Sequence, residues 1–167
     1  YSEREMIAAN VAVETRSGRA MDRFHARVMF PIIDLRGNVV AFGGRILTNE
    51  KPKYINTSDT PVYHKSSGLF AMNFAKNALE NDRIILAEGY MDVISLHKAG
   101  IENAIASLGT ALTAEQARII ARYAKEVVIC YDSDEAGQKA AQRAIPILRG
   151  AGLLVRVMAV PGNKDPD

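Results

Sequence analysis

The chain has 167 residues, 48% of them apolar, with a formal charge of +2, enough to bury a core as one domain or two closely joined lobes and too apolar for a disordered tail. A single cysteine excludes an internal disulfide framework, and His25, His64 and His97 lack the Cys partners or HExxH spacing of a zinc site. No apolar stretch reaches membrane-spanning length and no signal peptide opens the chain, so a cytoplasmic enzyme or module is expected.

Residues 2–10 suit a short helix, and the stretch broken by Ser17-Gly18 suits a hairpin. Val28 to Asp34 reads as a strand, Arg36-Gly37-Asn38 as a turn, and Val39 to Leu47 as its antiparallel partner, with Pro31 marking an edge or a bulge. Gly43-Gly44 fits either a close backbone approach or a plain bulge. Residues 51–67 have loop composition, and apolar residues from Leu69 to Leu79 fall at helical spacing. The pattern then alternates: strand 83–87, helix 90–99 stopped by Gly100, strand 104–107, helix 114–125 capped by Thr113, strand 127–131, helix 135–149, strand 153–160. Such alternation predicts an α/β fold, a parallel sheet flanked by helices with right-handed crossovers, preceded by a smaller mixed α+β lobe. The division falls near residue 80, giving lobes 1–80 and 81–167.

Acids end the apolar runs. Glu88 and Asp92 follow residues 83–87, Asp132 and Asp134 follow 127–131, and Asp165 and Asp167 follow the last run. In an open parallel sheet the carboxyl ends of the strands form the ligand crevice, so these carboxylates converge and demand cations; an oxygen-only set suits Mg²⁺ or Mn²⁺. Asp92 and Asp134 are equally placed to serve the first turns of helices. Cations recur in the first half, at Arg16, Arg19, Arg23, Arg27, Arg36, Arg45, Lys51, Lys53 and Lys65, as a polyanion site or as solvated surface.

Glu88-Gly89-Tyr90-Met91-Asp92, Asp132-Ser133-Asp134-Glu135-Ala136-Gly137 and Asp165-Pro166-Asp167 together resemble the Toprim metal-binding core shared by primases, topoisomerases and some nucleases. Arg27 to Ile32, Gly43-Gly44-Arg45, Pro52 to Asn56 and Tyr63-His64-Lys65 resemble the basic motifs that precede Toprim in bacterial DnaG-type primases, so the resemblance spans nearly the whole chain. It implies an enzyme that synthesises short RNA primers on single-stranded DNA from NTPs. Glu88, Asp132 and Asp134 would be catalytic, and Glu88, Asp92, Asp132, Asp134, Asp165 and Asp167 would hold Mg²⁺ or Mn²⁺. Arg45, Lys53 and Lys65, with Arg27 and Asn56, would contact nucleotide or nucleic-acid phosphate. Alarmone nucleotides are possible competitors of NTPs.

The family's zinc-binding domain has no counterpart among these residues, because no CxxC or CxxH pair is present, and no segment matches the domain through which primases bind the replicative helicase. With Tyr1 first and Asp167 last, a catalytic-core portion of a longer protein is expected. Another Toprim enzyme, a topoisomerase or nuclease, would use the same acids to break phosphodiester bonds, but the basic motifs from Arg27 to Lys65 favour the primase. A receiver-like Mg²⁺-binding module would need a later Lys on the same sheet, and Lys164 lies instead beside the third acid group.

Overall fold

The structure, a computed structural model, describes residues 1–49, 51–109 and 111–158. Helix α1 (Glu3–Ala8) starts at a capping box, in which Ser2 Oγ accepts from the Glu5 N–H and the Glu5 carboxylate accepts from the Ser2 N–H. Strands β1 (Ala12–Glu14) and β2 (Ala20–Asp22) form the hairpin expected around Ser17-Gly18. Strands β3 (Arg27–Ile33) and β4 (Val39–Ile46) pair antiparallel across a turn in which Asp34 accepts from the Arg36 and Asn38 N–H groups. Pro31 cannot donate to a ladder; it is accommodated because β3 is an edge strand, and the pairing slips between Ile32 and Ile33.

The structure departs from the expected loop over 51–67, which contains a third strand, β5 (Tyr54–Asn56), paired with β4. Three residues are too few to show a period of two. Nor does 69–79 form one helix. Leu69–Phe70 is strand β6, Ala71 turns the chain at φ +62°, and only Met72–Ala75 (α2) is helical. Strand β6 finds its hydrogen bonds on a distant segment, Ala106 and Ser107, a tertiary pairing that overrides the local helical spacing.

The second half follows the expected alternation: β7 (Arg83–Ala87), α3 (Tyr90–Lys98), β8 (Ala104–Ser107), α4 (Ala114–Ala121), β9 (Glu126–Cys130), α5 (Glu135–Gly150) and β10 (Leu154–Val157). The sheet order is β10-β9-β7-β8-β6. Strands β7 to β10 run parallel, as expected, and β6 adds an antiparallel strand on the edge of that sheet.

Alternate residues of each strand feed opposite faces. Ile84, Leu86, Ile105, Val127 and Ile129 pack on Ala117 and Ile120 of α4 and on Ala141, Ala144 and Leu148 of α5. Ala87, Ala104 and Ala106 pack on Val93 and Leu96 of α3. Ile84, Leu86 and Ile129 are fully buried, and each such side chain contributes about 1.5–3 kcal/mol. A third cluster, Ile32, Ala41, Tyr63, Tyr90 and Leu108, joins the antiparallel sheet to the start of α3 and so clasps the two halves together.

Candidate active site

Strands β7 and β9 are neighbours and end in register, Ala87 opposite Cys130. Glu88 and Asp132 therefore leave the same edge of the sheet. Chain order reverses at β7, with β8 on one side and β9 and β10 on the other, and such a reversal opens a crevice at the carboxyl ends of the strands.

Three carboxylates there, those of Glu88, Asp92 and Asp134, accept from backbone amides. The Asp132 N–H donates to Glu88 Oε1 at 3.3 Å, the Gly89 N–H to Asp92 Oδ2 at 2.9 Å, and the Gly137 N–H to Asp134 Oδ1 at 2.7 Å. Asp92 and Asp134 thus serve the first turns of α3 and α5, as their sequence positions allowed. Burial holds the Glu88 carboxyl above its ordinary range, and the charges of Asp132, Asp134 and Asp92 push the same way, against the Asp132 N–H. The Asp132–Asp134 turn rests directly on α5. A Cβ on Gly137 would lie 2.2 Å from the Asp132 carbonyl oxygen and 2.7 Å from Glu88 Oε1, so only glycine fits.

The opposite wall comes from β4 and β5. Arg45 and Tyr54 are register partners. The Arg45 guanidinium carbon and Lys53 Nζ each lie 5.7 Å from the Tyr54 ring centroid, within cation–π range. Tyr54 meets Tyr90 edge to face, with centroids 5.5 Å apart. Gly43 gives the close approach that its sequence suggested, since a Cβ there would lie 3.0 Å from Asn56 Oδ1 and 3.1 Å from Tyr90 Cε1. Arg45, Lys53, Tyr54 and Asn56 face Glu88, Asp92 and Asp132 across a cleft of about 370 Å³, with Ser107 and Gly109 also lining it.

Other expected site residues stand elsewhere. The Arg27 guanidinium donates to the Pro52 carbonyl at 2.8 Å and the Lys53 carbonyl at 3.2 Å, which makes it a buttress of the segment carrying Lys53. Lys65 does not line the cleft; its N–H donates to Asp59 and its carbonyl accepts from Gln116 Nε2. Asp165 and Asp167 lie outside the described residues. Among the described residues, no three His, Cys, Asp or Glu side chains are assembled as a metal-ligating group. The donors still fit a hard divalent cation, being all oxygen, with the charges of Asp132, Asp134 and Asp92 adding to the burial that raises Glu88. Tyr90 and Gly137 belong to the two acid motifs, and the sequence alone gives neither a role. Tyr54, which meets Tyr90, and Glu88, which meets Gly137, are distant in sequence from those partners, so pattern alone assigns no role to Tyr90 or Gly137.

The family profile described as DNA primase catalytic core, N-terminal domain, matches residues 1–76, and the profile described as Toprim-like matches residues 85–167. A DNA primase of Clostridium acetobutylicum is 48% identical over 167 residues, which are all of this chain and 28% of that protein. In the zinc-binding and RNA polymerase domains of the Aquifex aeolicus primase, the TM-score is 0.91 at 42% identity, covering 96% of this chain and 40% of that one. A DnaG primase catalytic domain bound to single-stranded DNA aligns with a TM-score of 0.89 at 41% identity, covering 99% of this chain and 55% of that one. Matched from end to end by these proteins and carrying both profiles in order, the chain belongs to the bacterial DnaG-type primase family.

Proposed function

We propose that this chain carries the nucleotidyl-transfer centre of a DNA primase, which builds short RNA primers from NTPs on a single-stranded DNA template during replication. The observation behind this reading is the single cleft that sets Glu88, Asp92 and Asp132 against Arg45, Lys53, Tyr54 and Asn56. A triphosphate and its counter-ions need both walls at once.

In this reading Glu88, Asp132 and Asp134 are the catalytic acids. Together with Asp92, Asp165 and Asp167 they hold Mg²⁺ or Mn²⁺. When bound, the metal lowers the pKa of the attacking 3′-hydroxyl and stabilises charge on the pyrophosphate. Arg45 and Lys53 orient the triphosphate, and Tyr54 seats both cations so that less side-chain freedom is lost when nucleotide binds. Asn56 lines the same wall. Glu88, where strand β7 ends beside the Asp132 amide, is placed to take a proton from the 3′-hydroxyl. Lys65 serves phosphates of template or primer outside the cleft, and Arg27 holds the Lys53 segment in place.

Single-stranded DNA is the proposed template, a reading supported by the related catalytic domain bound to it. Alarmone nucleotides would compete with NTPs for Lys53. A replicative helicase would be engaged through residues other than these, and the work would take place in the cytoplasm at the replication fork. The two lobes would divide near residue 80, the first supplying cations and the second carboxylates. Among the described residues, no helix is long and apolar enough to cross a membrane.

The test is paired titration of Mn²⁺ and ATP by calorimetry. ATP affinity should rise with Mn²⁺, and Asp132→Asn should weaken Mn²⁺ binding at least tenfold. An Asp132→Asn protein that binds Mn²⁺ as the parent does would refute the assignment.

A further inference from the structure

Glu88 borders a second cleft, of about 250 Å³, whose lining does not include Arg45 or Lys53. Glu88, Ser107 and Gly109 line both clefts, so the two meet at the ends of β7 and β8. The far wall is α5, where Ala140, Arg143, Ala144 and Ile147 stand three, four and seven residues apart and so share one helix face. Arg143 is the charged member of that stripe. It is exposed, and among the described residues no hydrogen bond or ion pair engages it. Lys139, one turn earlier, is paired with Glu135. Leu112 adds to the apolar part of the lining, and Arg143 is its one cation.

We infer that this second arm seats the 3′-terminal nucleotide of the growing RNA strand, with Arg143 on the phosphodiester of that nucleotide and the Ala140, Ala144, Ile147 and Leu112 surface against its sugar. The inference rests on the primase reading and adds where the second substrate lies. Charge decides the allocation. The first arm offers Arg45 and Lys53 seated on one ring, which suits a triphosphate; the second offers Arg143 as its one cation, with Glu88 where the arms meet and Ser107 and Tyr131 also in its lining, too little positive charge for a triphosphate or pyrophosphate and matched to a phosphodiester monoanion.

The reaction requires both substrates at one point. The O3′ to α-phosphorus bond forms, the bond from that phosphorus to the bridging oxygen breaks, pyrophosphate leaves with those electrons, and the 3′-hydroxyl proton passes to the base. Two arms that meet at Glu88 bring the attacking 3′-hydroxyl and the α-phosphorus to one point, as an in-line displacement requires.

The experiment measures binding of a short fluorescent oligoribonucleotide with a free 3′-hydroxyl, annealed to a DNA template, by anisotropy in Mn²⁺. Parent, Arg143→Ala, Arg143→Lys and Lys53→Glu proteins are compared, with ATP and Mn²⁺ affinities measured on each. Arg143→Ala should weaken strand binding about tenfold and lower the slope of log affinity against log salt by about 0.7–1, the loss of one phosphate contact. Arg143→Lys should recover most of the affinity, and ATP and Mn²⁺ binding should not change in either variant. Lys53→Glu should show the opposite pattern. Unchanged strand affinity and salt slope in Arg143→Ala, an equal loss of ATP affinity, or a parent that binds ATP and Mn²⁺ but no strand would each overturn the inference. A parent that binds neither ATP nor Mn²⁺ would overturn the primase reading itself, and this inference with it.

Discussion

Replacing Gly137 by alanine isolates the packing of the Asp132–Asp134 turn on α5. The new Cβ would meet the Asp132 carbonyl oxygen at 2.2 Å and Glu88 Oε1 at 2.7 Å. The Glu88 side chain can rotate away; the Asp132 carbonyl moves only if the turn lifts off the helix. Overpacking of this kind costs typically about 1–3 kcal/mol, and alanine's better helix propensity returns at most about 1 kcal/mol. A net loss of about 1–2 kcal/mol should lower Tm by roughly 2–8 °C for a chain of this size. The functional loss should be larger, because a shift of about 1 Å at a reacting centre costs about a hundredfold in rate. Differential scanning calorimetry and a Mn²⁺ titration on parent and Gly137→Ala would measure both effects. A variant as stable as the parent, with unchanged Mn²⁺ affinity, would refute the argument that the turn must touch the helix.

Glu88→Gln should raise Tm in metal-free buffer at neutral pH. Its carboxyl pKa is raised in the folded state, so the folded protein binds the proton more tightly and the contribution of Glu88 to stability falls as pH rises from the ordinary carboxylate range through the raised value. The Tm gap between variant and parent should close as pH is lowered through that window; a gap independent of pH would contradict the assigned cause. Tyr54→Ala should weaken ATP binding roughly five- to thirtyfold by unseating two cations, each contact being worth about 0.5–1 kcal/mol. Tyr54→Phe should bind nearly as the parent does, and equal losses in both would point to the hydroxyl instead. Lys53→Glu should cut ATP affinity by an order of magnitude or more. Lys65→Glu, off the cleft wall, should weaken single-stranded DNA binding while changing ATP affinity little, a contrast that calorimetry and anisotropy can separate.

The second half was legible because buried parallel strands write continuous apolar runs, and the expected strands 83–87 and 104–107 are the observed ones. Acids at the ends of such runs have no packing role, and this marks Glu88 and Asp132 in the sequence itself. Elements made by distant partners were hidden. Tyr54–Asn56 is a strand because β4 lies beside it, and Leu69–Phe70 is a strand because β8 offers a free edge. Local spacing contains neither fact. The cleft was half visible for the same reason: Arg45 and Lys53 look like scattered surface charge until β4–β5 pairing brings both over one ring. Arg27 shows the converse, a cation in a basic motif whose guanidinium is spent on backbone carbonyls. Arg143 gave no sequence signal, because only the meeting of α5 with the end of β8 sets it beside the Glu88 crevice.

Primer synthesis by a graft tests the central claim most directly. Residues 1–167 would replace the matching segment of the Clostridium acetobutylicum DNA primase, to which they are 48% identical, and RNA made from labelled NTPs on single-stranded DNA in Mg²⁺ would be measured. The grafted enzyme should make template-dependent primers, and Glu88→Gln and Asp132→Asn grafts should lose about a hundredfold or more in rate, as expected when preorganised charge at a reacting centre is removed. Circular dichroism should show all three equally folded. Folded Glu88→Gln and Asp132→Asn grafts that make primers at the parental rate would contradict the claim that this cleft performs nucleotidyl transfer.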